Sequence, residues 1–164
     1  MGHMASSASS AGTDMERLRR FFRDGAPGPN AHVVLLGLSA FDTFDLVAAI
    51  RKGFRYETFE RFRRNIALPV ETIMALVNIP RRTLTRRKLE GRFAPEESDR
   101  LVRASRVYSK ALQLFDGDRQ AASNWLLAPH RGLGGEIPVV LSSTDVGARE
   151  VERLIDRLEH GVFA

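Results

Sequence analysis

The chain has 164 residues, of which 43% are hydrophobic and 27% are charged, and its formal net charge is +5. This length and apolar content suit one or two small domains with a packed core. The sequence contains no cysteine, which excludes disulfides, thiolate zinc sites and cysteine nucleophiles and fits a reducing cytoplasm, where we expect the protein. No apolar run approaches the roughly 20 residues of a membrane span, and no secretory signal is visible, so we expect no membrane partner.

The first 30 residues predict an arm outside the folded domains. Residues 1–13 (MGHMASSASSAGT) begin like a cloning remnant and have nothing to bury, so we expect them to be disordered. Asp14–Arg23 is compatible with a short charged helix or arm, and the breaker cluster GAPGPN at 25–30 predicts a linker. We therefore assign residues 1–30 to a disordered tag or arm.

Residues 31–94 predict a first helical domain. The apolar run His32–Leu38 is compatible with a strand or with an extended lead-in, because periodicity does not separate these in short runs. Helical spacing then predicts helices over 42–52 and 56–65. The expected apolar face of the helix over 42–52 consists of Phe44, Val47 and Ile50.

Two short helices joined by a tight turn complete this domain. The first, Val70–Val77, is followed by Asn78-Ile79-Pro80, in which Asn tolerates a left-handed backbone and Pro suits the start of the next helix. The second helix, Arg81–Glu90, ends at a glycine, and we expect Leu84 and Leu89 to anchor it inwards. This pattern is typical of a helix-turn-helix, and we expect it within an Xre-like domain over 31–94.

The second helix of this pair is strongly basic, and residues 51–110 together carry sixteen Lys or Arg against seven Asp or Glu. A recognition helix directs its N-terminal side chains toward base edges in the major groove. The candidate base-reading residues are therefore Arg81, Arg82 and Thr85. Later cations suit the phosphates, which position the protein without reading sequence. These candidates are Arg86, Arg87 and Lys88. The alternative is an ordinary helical hairpin with an Arg-rich solvated face.

Residues 95–164 predict a second, smaller helical domain, and the whole chain is therefore expected to be all-α. A long helix starts at Pro95 and is expected to join the two domains. Its buried stripe is Leu101, Tyr108, Leu112 and Phe115. Asp118 caps a helix to Leu127, Pro138 opens a short helix, and Thr144 or Asp145 caps the last one. The apolar stripe of the last helix is Val151, Leu154, Ile155 and Leu158.

No group of side chains has the spacing that catalysis or metal binding requires. His32, His130 and His160 lack the i, i+4 spacing of zinc ligands. The segment GLGG at 132–135 lacks the spaced glycines and the lysine of a phosphate loop. The carboxylates of the last helix alternate with arginines, as in a solvated ion-pair face. We expect no catalytic residue, no metal and no cofactor, and thus no enzyme.

From about Phe41 to its end the chain resembles the antitoxins of the Xre/MbcA/ParS group. The resemblance rests on an ordered set of segments: FDLVAAIRKGF, IPRRTLTRRK, PEESDRLVRASRVYSKALQLF, AASNWLLAP, GGEIPVVL and STDVGAREVERLIDRLEHGV. One departure is Pro80, because such proteins often carry a Ser or Thr cap at the start of the recognition helix. The resemblance implies a bacterial antitoxin with an Xre-type helix-turn-helix and a C-terminal toxin-binding domain.

The implied partner is a RES-domain toxin, an enzyme that consumes NAD by degrading it or by transferring ADP-ribose. The resemblance also implies that the C-terminal domain blocks the toxin's active site, and that the antitoxin represses its own operon as a homodimer within a toxin–antitoxin hetero-oligomer. Residues 111–164 carry five Arg against eight Asp or Glu, which suits a cationic NAD pocket. The alternative is a stand-alone helix-turn-helix regulator whose C-terminal domain only dimerises.

The expected toxin-binding surface combines a loop with the end of the last helix. Trp125 is either a core anchor or an interface hot spot, since large aromatic side chains serve both purposes. The loop candidates are Trp125, His130, Arg131, Leu133 and Glu136. The candidates at the end of the last helix and in the tail are Arg157, Glu159, His160, Gly161, Val162 and Phe163.

Overall fold

The computed structural model describes residues 3–24, 30–39 and 42–161, with side chains from residue 12 onwards. The helices are α1 (His3–Asp24), α2 (Thr43–Lys52), α3 (Tyr56–Asn65), α4 (Val70–Val77), α5 (Arg81–Glu90), α6 (Pro95–Leu114), α7 (Arg119–Leu127), α8 (Pro138–Leu141) and α9 (Asp145–Glu159). Two 3-10 helices, Ala31–Leu36 and Arg131–Leu133, complete the architecture. The predicted all-α fold is confirmed, since the described ranges contain only one isolated β-bridge and no strand.

Helix α6 is the centre of the fold and packs against α2, α4, α7, α9 and the first 3-10 helix. Its N-terminus is fixed because the backbone N–H of Ala94 donates to the carboxylate of Glu97 at 3.1 Å. The predicted stripe is confirmed at Leu101, Tyr108 and Leu112, which are fully buried, whereas Phe115 is only partly buried. The buried side chains from α1 to α9 form one continuous hydrophobic cluster around this helix.

Tyr108 ties α6 to its neighbours through a buried hydroxyl. The hydroxyl accepts a hydrogen bond from the backbone N–H of Ala67 at 3.1 Å and pairs with Oγ of Ser123 at 2.8 Å. Burial raises the pKa of Tyr108 above its ordinary value. Because a buried tyrosine hydroxyl needs partners, this network specifies how α7 and the segment after α3 lie against α6.

Residues 3–24 form helix α1, which confirms the helical alternative for Asp14–Arg23 and contradicts the disorder expected for residues 3–13. Asp14 is fully buried and accepts hydrogen bonds from Nε of Arg61 at 2.6 Å and from Nη2 of Arg61 at 2.7 Å. Met15 and Leu18 join the core beside it. The sequence conceals this docking, because the partner of Asp14 lies 47 positions further along the chain. Residues 25–29 of the linker predicted over 25–30 lie outside the described residues.

The ambiguous run after the linker is a buried 3-10 helix, neither a strand nor an extended segment. All residues from His32 to Leu36 are buried where this helix packs between α1, α3 and α6. Gly37 ends it with φ of 70°, and a Cβ atom there would lie 2.8 Å from the side chain of Arg61. A run that is buried on all sides loses the periodicity by which a helix is recognised.

Helix α2 buries a different face from the one predicted. Phe44 is 83% exposed and Val47 is 37% exposed, whereas Leu46 is buried against the core. Ala49 and Ile50 are partly buried beside Leu46. The helix carries two candidate apolar faces, and its packing on α6 selects the one that contains Leu46.

The predicted helix-turn-helix is confirmed in its backbone. Asn78 adopts the left-handed conformation, with φ of 53°, and Pro80 immediately precedes the first residue of α5. Leu84 is buried as predicted, but Leu89 is 86% exposed, so its predicted role as an inward anchor is wrong. Leu89 follows Leu84 by five positions, which places the two leucines about 140° apart around a helix of 3.6 residues per turn.

Two ion pairs hold the last helix against α6. Nε of Arg106 lies 2.5 Å from Oε1 of Glu152, and Nζ of Lys110 lies 2.5 Å from Oδ1 of Asp156. Of the two predicted caps, Thr144 occupies the position, because its Oγ1 accepts from the backbone N–H of Gly147 at 3.0 Å. The stripe of α9 is confirmed for Val151, Leu154 and Ile155, and Leu158 is partly buried.

Candidate functional site

Helix α5 presents three chemically distinct faces. The face directed away from the core carries four exposed residues at helical spacing, and these are Arg82, Thr85, Arg86 and Leu89. Arg82 has no ion pair with any described residue, and the pair of Arg86 with Glu90 is long, at 3.9 Å. This outward face is therefore free to contact a partner and is strongly cationic.

Arg81, predicted to read bases, lies beside the start of α4. Its Nη2 donates to Oε1 of Glu71 at 2.7 Å, and its carbonyl accepts from Oγ1 of Thr85 at 3.0 Å. Both charged side chains of the pair are about two-thirds exposed, at 65% and 68%. Such exposed pairs contribute only about 0–1 kcal/mol, so a stronger ligand can displace Glu71 from Arg81.

Arg87, predicted to contact phosphate, is instead a structural link between α5 and α6. Its guanidinium donates to both carboxylate oxygens of Glu97 and to Oε2 of Glu90. Only 18% of the Arg87 side chain and 9% of the Glu97 side chain are exposed. Burial opposes ionisation of Glu97, but the hydrogen bonds from Arg87 and Ala94 outweigh it and lower the pKa of Glu97. The structure therefore does not place Arg87 on the outward face.

Lys88 lies on the third face of α5, which is turned toward α3. There it lines a cleft together with Arg63, an exposed residue of α3 that the sequence did not single out. The signal for Arg63 in the sequence is only its place within the basic central segment.

The candidate surface of the C-terminal part is built around a ring stack. The rings of Trp125 and His130 are stacked with centroids 4.4 Å apart, and Nε2 of His130 lies 2.7 Å from the backbone oxygen of Trp125. Trp125 is half-buried and packs against the core. It thus has the position of a core anchor while keeping an accessible edge.

The loop from His130 to Glu136 is closed by its own backbone. The N–H of His130 donates to the carbonyl of Glu136 at 3.2 Å, and the N–H of Gly135 donates to the carbonyl of His130 at 2.9 Å. Leu133 is buried, whereas Arg131 and Glu136 are exposed. Leu133 thus packs in the core, the two charged residues are accessible, and a toxin contact of Leu133 stays a prediction.

This loop is fixed directly on helix α9. A Cβ atom at Gly132 would lie 2.7 Å from Cδ1 of Leu154, so a larger residue at this position would force the Leu154 side chain to shift. Arg157 follows Leu154 by one turn on α9, and Glu159 and His160 are exposed at its end. The loop thus packs on α9 at Leu154, and a single toxin-binding surface formed by the loop and the end of α9 stays a prediction. Val162 and Phe163 lie outside the described residues.

The C-terminal part also carries exposed apolar side chains that were not predicted from the sequence. Leu127 is 41% exposed and Val140 is 55% exposed. Both line a groove of about 290 Å³ that runs between α8 and α4, with Ala75 on its opposite wall. Helix α8 has only four residues, which is too short to show periodicity.

Helix α6 sets the separation between the two candidate surfaces. Glu97 fixes α5 near its start, and Lys110 fixes α9 thirteen positions later. At 1.5 Å per residue these anchors are roughly 20 Å apart along the helix axis.

Among the described residues, no group of three or more His, Asp or Glu side chains is arranged to hold a metal ion. None of the described helices is long and apolar enough to cross a membrane.

This architecture defines a class: helix-turn-helix proteins that carry an additional C-terminal helical module. Two family descriptions match the chain, the antitoxin Xre-like helix-turn-helix domain over residues 45–106 and the antitoxin Xre/MbcA/ParS C-terminal toxin-binding domain over residues 110–161. The two matched regions meet within α6, whereas the domain boundary expected from sequence falls just before it.

Relatives named Antitoxin Xre occur in three bacteria. The Yersinia enterocolitica protein is 42% identical over 130 residues, which are 79% of this chain and 88% of the relative. The Photorhabdus laumondii protein is 40% identical over 56% of this chain and 63% of the relative, and the Pseudomonas putida protein is 28% identical over 72% and 73%. The chain therefore belongs to the Xre/MbcA/ParS family of antitoxins, which combine a helix-turn-helix with a toxin-binding domain and are not enzymes. The family implies a cognate toxin as partner.

Proposed function

We propose that this antitoxin neutralises a RES-domain toxin that consumes NAD, by degrading it or by transferring ADP-ribose, and that it does so by covering the toxin's active site. The observation that carries this proposal is the joining of the loop 130–136 to α9 through Gly132 and Leu154. A surface that is already ordered loses little conformational entropy when it binds.

Charge supports the same assignment. An enzyme that binds the pyrophosphate of NAD needs positive charge in its pocket, and residues 111–164 carry eight Asp or Glu against five Arg. Glu136 and Glu159 are exposed on the loop and at the end of α9. We propose that these carboxylates, with Arg131, Arg157 and His160, surround the toxin's pocket. Trp125 supports the loop from beneath, and the tail from Gly161 through Val162 and Phe163 enters the pocket.

We also propose that the antitoxin represses its own operon by binding operator DNA as a homodimer, in a hetero-oligomer with the toxin. The cationic outward face of α5 supports this, because Arg82 and Arg86 project from it without strong partners among the described residues. A dimer would present two such helices to two half-sites of one operator.

One experiment tests the neutralisation. The antitoxin is co-expressed with the product of the neighbouring gene, the pair is purified, and NAD consumption by that protein is measured with and without antitoxin. We expect a stable complex in which NAD consumption is suppressed. A folded antitoxin that neither co-purifies with that protein nor changes NAD consumption would contradict the proposal and would favour a stand-alone regulator.

A further inference from the structure

A cleft of about 280 Å³ opens between α3 and α5, on the flank of the helix-turn-helix. Three cationic side chains form its walls: Arg63 from α3, and Arg81 and Lys88 from α5. The buried side chains of Phe59 and Leu84 also line it. The cleft is therefore a concave surface on which positive charge converges from two helices.

Few carboxylates neutralise this charge. No acidic residue lines the cleft, and neither Arg63 nor Lys88 forms an ion pair with any residue that the structure describes. Glu71 pairs with Arg81 from outside the cleft, with both side chains exposed, and Glu60 hydrogen-bonds to Tyr56 at its edge. Three cations thus face a small volume that has only weakly held counter-charges nearby.

We propose that this cleft binds the phosphate backbone of DNA beside α5. The inference rests on the proposed binding of operator DNA and adds a second helix, α3, to the surface that contacts it. Phosphate is the ligand that suits such a cleft, because it is compact, anionic and satisfied by several Arg and Lys donors at once.

The spacing of the cations favours a nucleic-acid backbone over a single small anion. Arg81 and Lys88 are seven residues apart on α5, which places them about 10 Å apart along the helix axis. That separation exceeds the size of one phosphate and suits successive phosphates of a strand. The outward face with Arg82 and Arg86 lies on the adjoining side of α5, so a duplex that receives α5 in its major groove would bring one strand alongside the cleft.

The test compares two neighbouring arginines of α3. Arg63 lines the cleft, whereas the exposed Arg64 does not, so Arg64→Gln is the matched control for Arg63→Gln. Fluorescence anisotropy with full-length protein measures the affinity for the native promoter and for a scrambled duplex at four salt concentrations. Arg63→Gln should weaken binding to both duplexes alike, by roughly three- to tenfold at 0.1 M salt. It should also reduce the magnitude of the slope of log binding constant against log salt concentration by about one.

Lys88→Gln provides a second variant from the opposite wall and should reduce the salt dependence of binding by the same amount. Circular dichroism confirms that each variant is folded. If wild-type protein binds the promoter but neither variant differs from Arg64→Gln, the cleft is not a backbone site, although the proposed DNA binding stands. If wild-type protein binds no duplex, the proposed repression fails and the inference fails with it. The proposal is also overturned if inorganic phosphate shifts the NMR signal of Arg63 while both variants keep the wild-type salt dependence of DNA binding. That result would assign the cleft to a free anion.

Discussion

Arg87 donates three hydrogen bonds to the carboxylate of Glu97, at 2.7, 2.8 and 3.0 Å, and thereby fixes the basic helix α5 to the central helix α6. The geometry is that of a bidentate arginine–carboxylate pair, which orients its partners more strictly than a lysine could. The neighbouring Arg86 points away from the core and has only a long contact to Glu90. Adjacent arginines on one helix thus have different roles.

The first prediction is that substitution of Arg87 and substitution of Arg86 have different effects on the free energy of unfolding. Arg87→Ala should lower the free energy of unfolding by about 2 kcal/mol, because it leaves the buried carboxylate of Glu97 without its main partner. Arg86→Ala should change stability by less than about 0.5 kcal/mol, since exposed pairs contribute little. Urea denaturation followed by circular dichroism measures both. Equal stability of the two variants would contradict a structural role for Arg87.

The second prediction concerns sequence reading by α5. Arg82→Ala should weaken binding to the native promoter by about 1–3 kcal/mol and relax the base preference at one position. Mobility-shift assays with the promoter and with single-base variants measure this effect. If an Arg82, Thr85 and Arg86 triple alanine variant is folded and binds the promoter as wild type does, the outward face does not read DNA.

The third prediction concerns the blocking element. Deletion of residues 161–164 should restore toxin activity if the tail enters the pocket, while the melting temperature stays nearly unchanged. Gly161 has φ of 67° at the end of α9, where the chain leaves the helix, so the deletion removes no part of the buried stripe. NAD consumption by the toxin and thermal unfolding of the antitoxin are measured in parallel. Full inhibition by the folded truncation would move the blocking surface to the region from Trp125 to Glu136.

The fourth prediction tests the docking of α1. Asp14→Ala should destabilise the protein by about 3 kcal/mol, because it removes the buried acceptor of Arg61 and Asn65. Glu16→Ala is the matched control, since Glu16 is exposed on the same helix and its one ion pair with a described residue is with exposed Arg20. Limited proteolysis should show faster cleavage within α1 only for Asp14→Ala. Similar cleavage rates for both variants would show that the buried carboxylate does not hold α1 in place.

The fifth prediction is a pH dependence that originates at His32. Burial first, and then the charge of Arg106, lower the pKa of His32 from 6.5 to about 4. The folded state therefore binds fewer protons than the unfolded state between these pH values, so stability present above pH 6.5 is lost as the pH falls toward 4. The loss from this group should be about 2 kcal/mol at pH 5.

His32→Gln isolates this contribution, because the substitution removes the titrating ring and leaves the other groups in place. Urea midpoints of wild type and variant are compared at pH 7.5 and at pH 5. The variant should lose less stability over this interval than the wild type. Equal losses of stability in the wild type and the variant would show that folding does not lower the pKa of His32.

Much of the fold follows from local sequence alone. The turn Asn78-Ile79-Pro80 combines a left-handed former with a helix-starting proline, so both helices around it can be placed without knowing their neighbours. The stripe of α9 has regular spacing, which identifies Val151, Leu154 and Ile155 as buried. The family resemblance follows equally from ordered local segments.

Tertiary structure decided which of several locally equivalent choices was realised. Helix α2 has two possible apolar faces, and its packing on α6 buries Leu46 and leaves Phe44 exposed. Helix α1 is docked by Met15 and Leu18, which join the core, and by the hydrogen bonds between Asp14 and an arginine of α3. The basic residues of α5 look alike in sequence, but the position of Glu97 makes Arg87 structural, and the position of α3 places Lys88 in a cleft with Arg63. Such distinctions depend on contacts between residues distant in the chain, which periodicity and propensity do not encode.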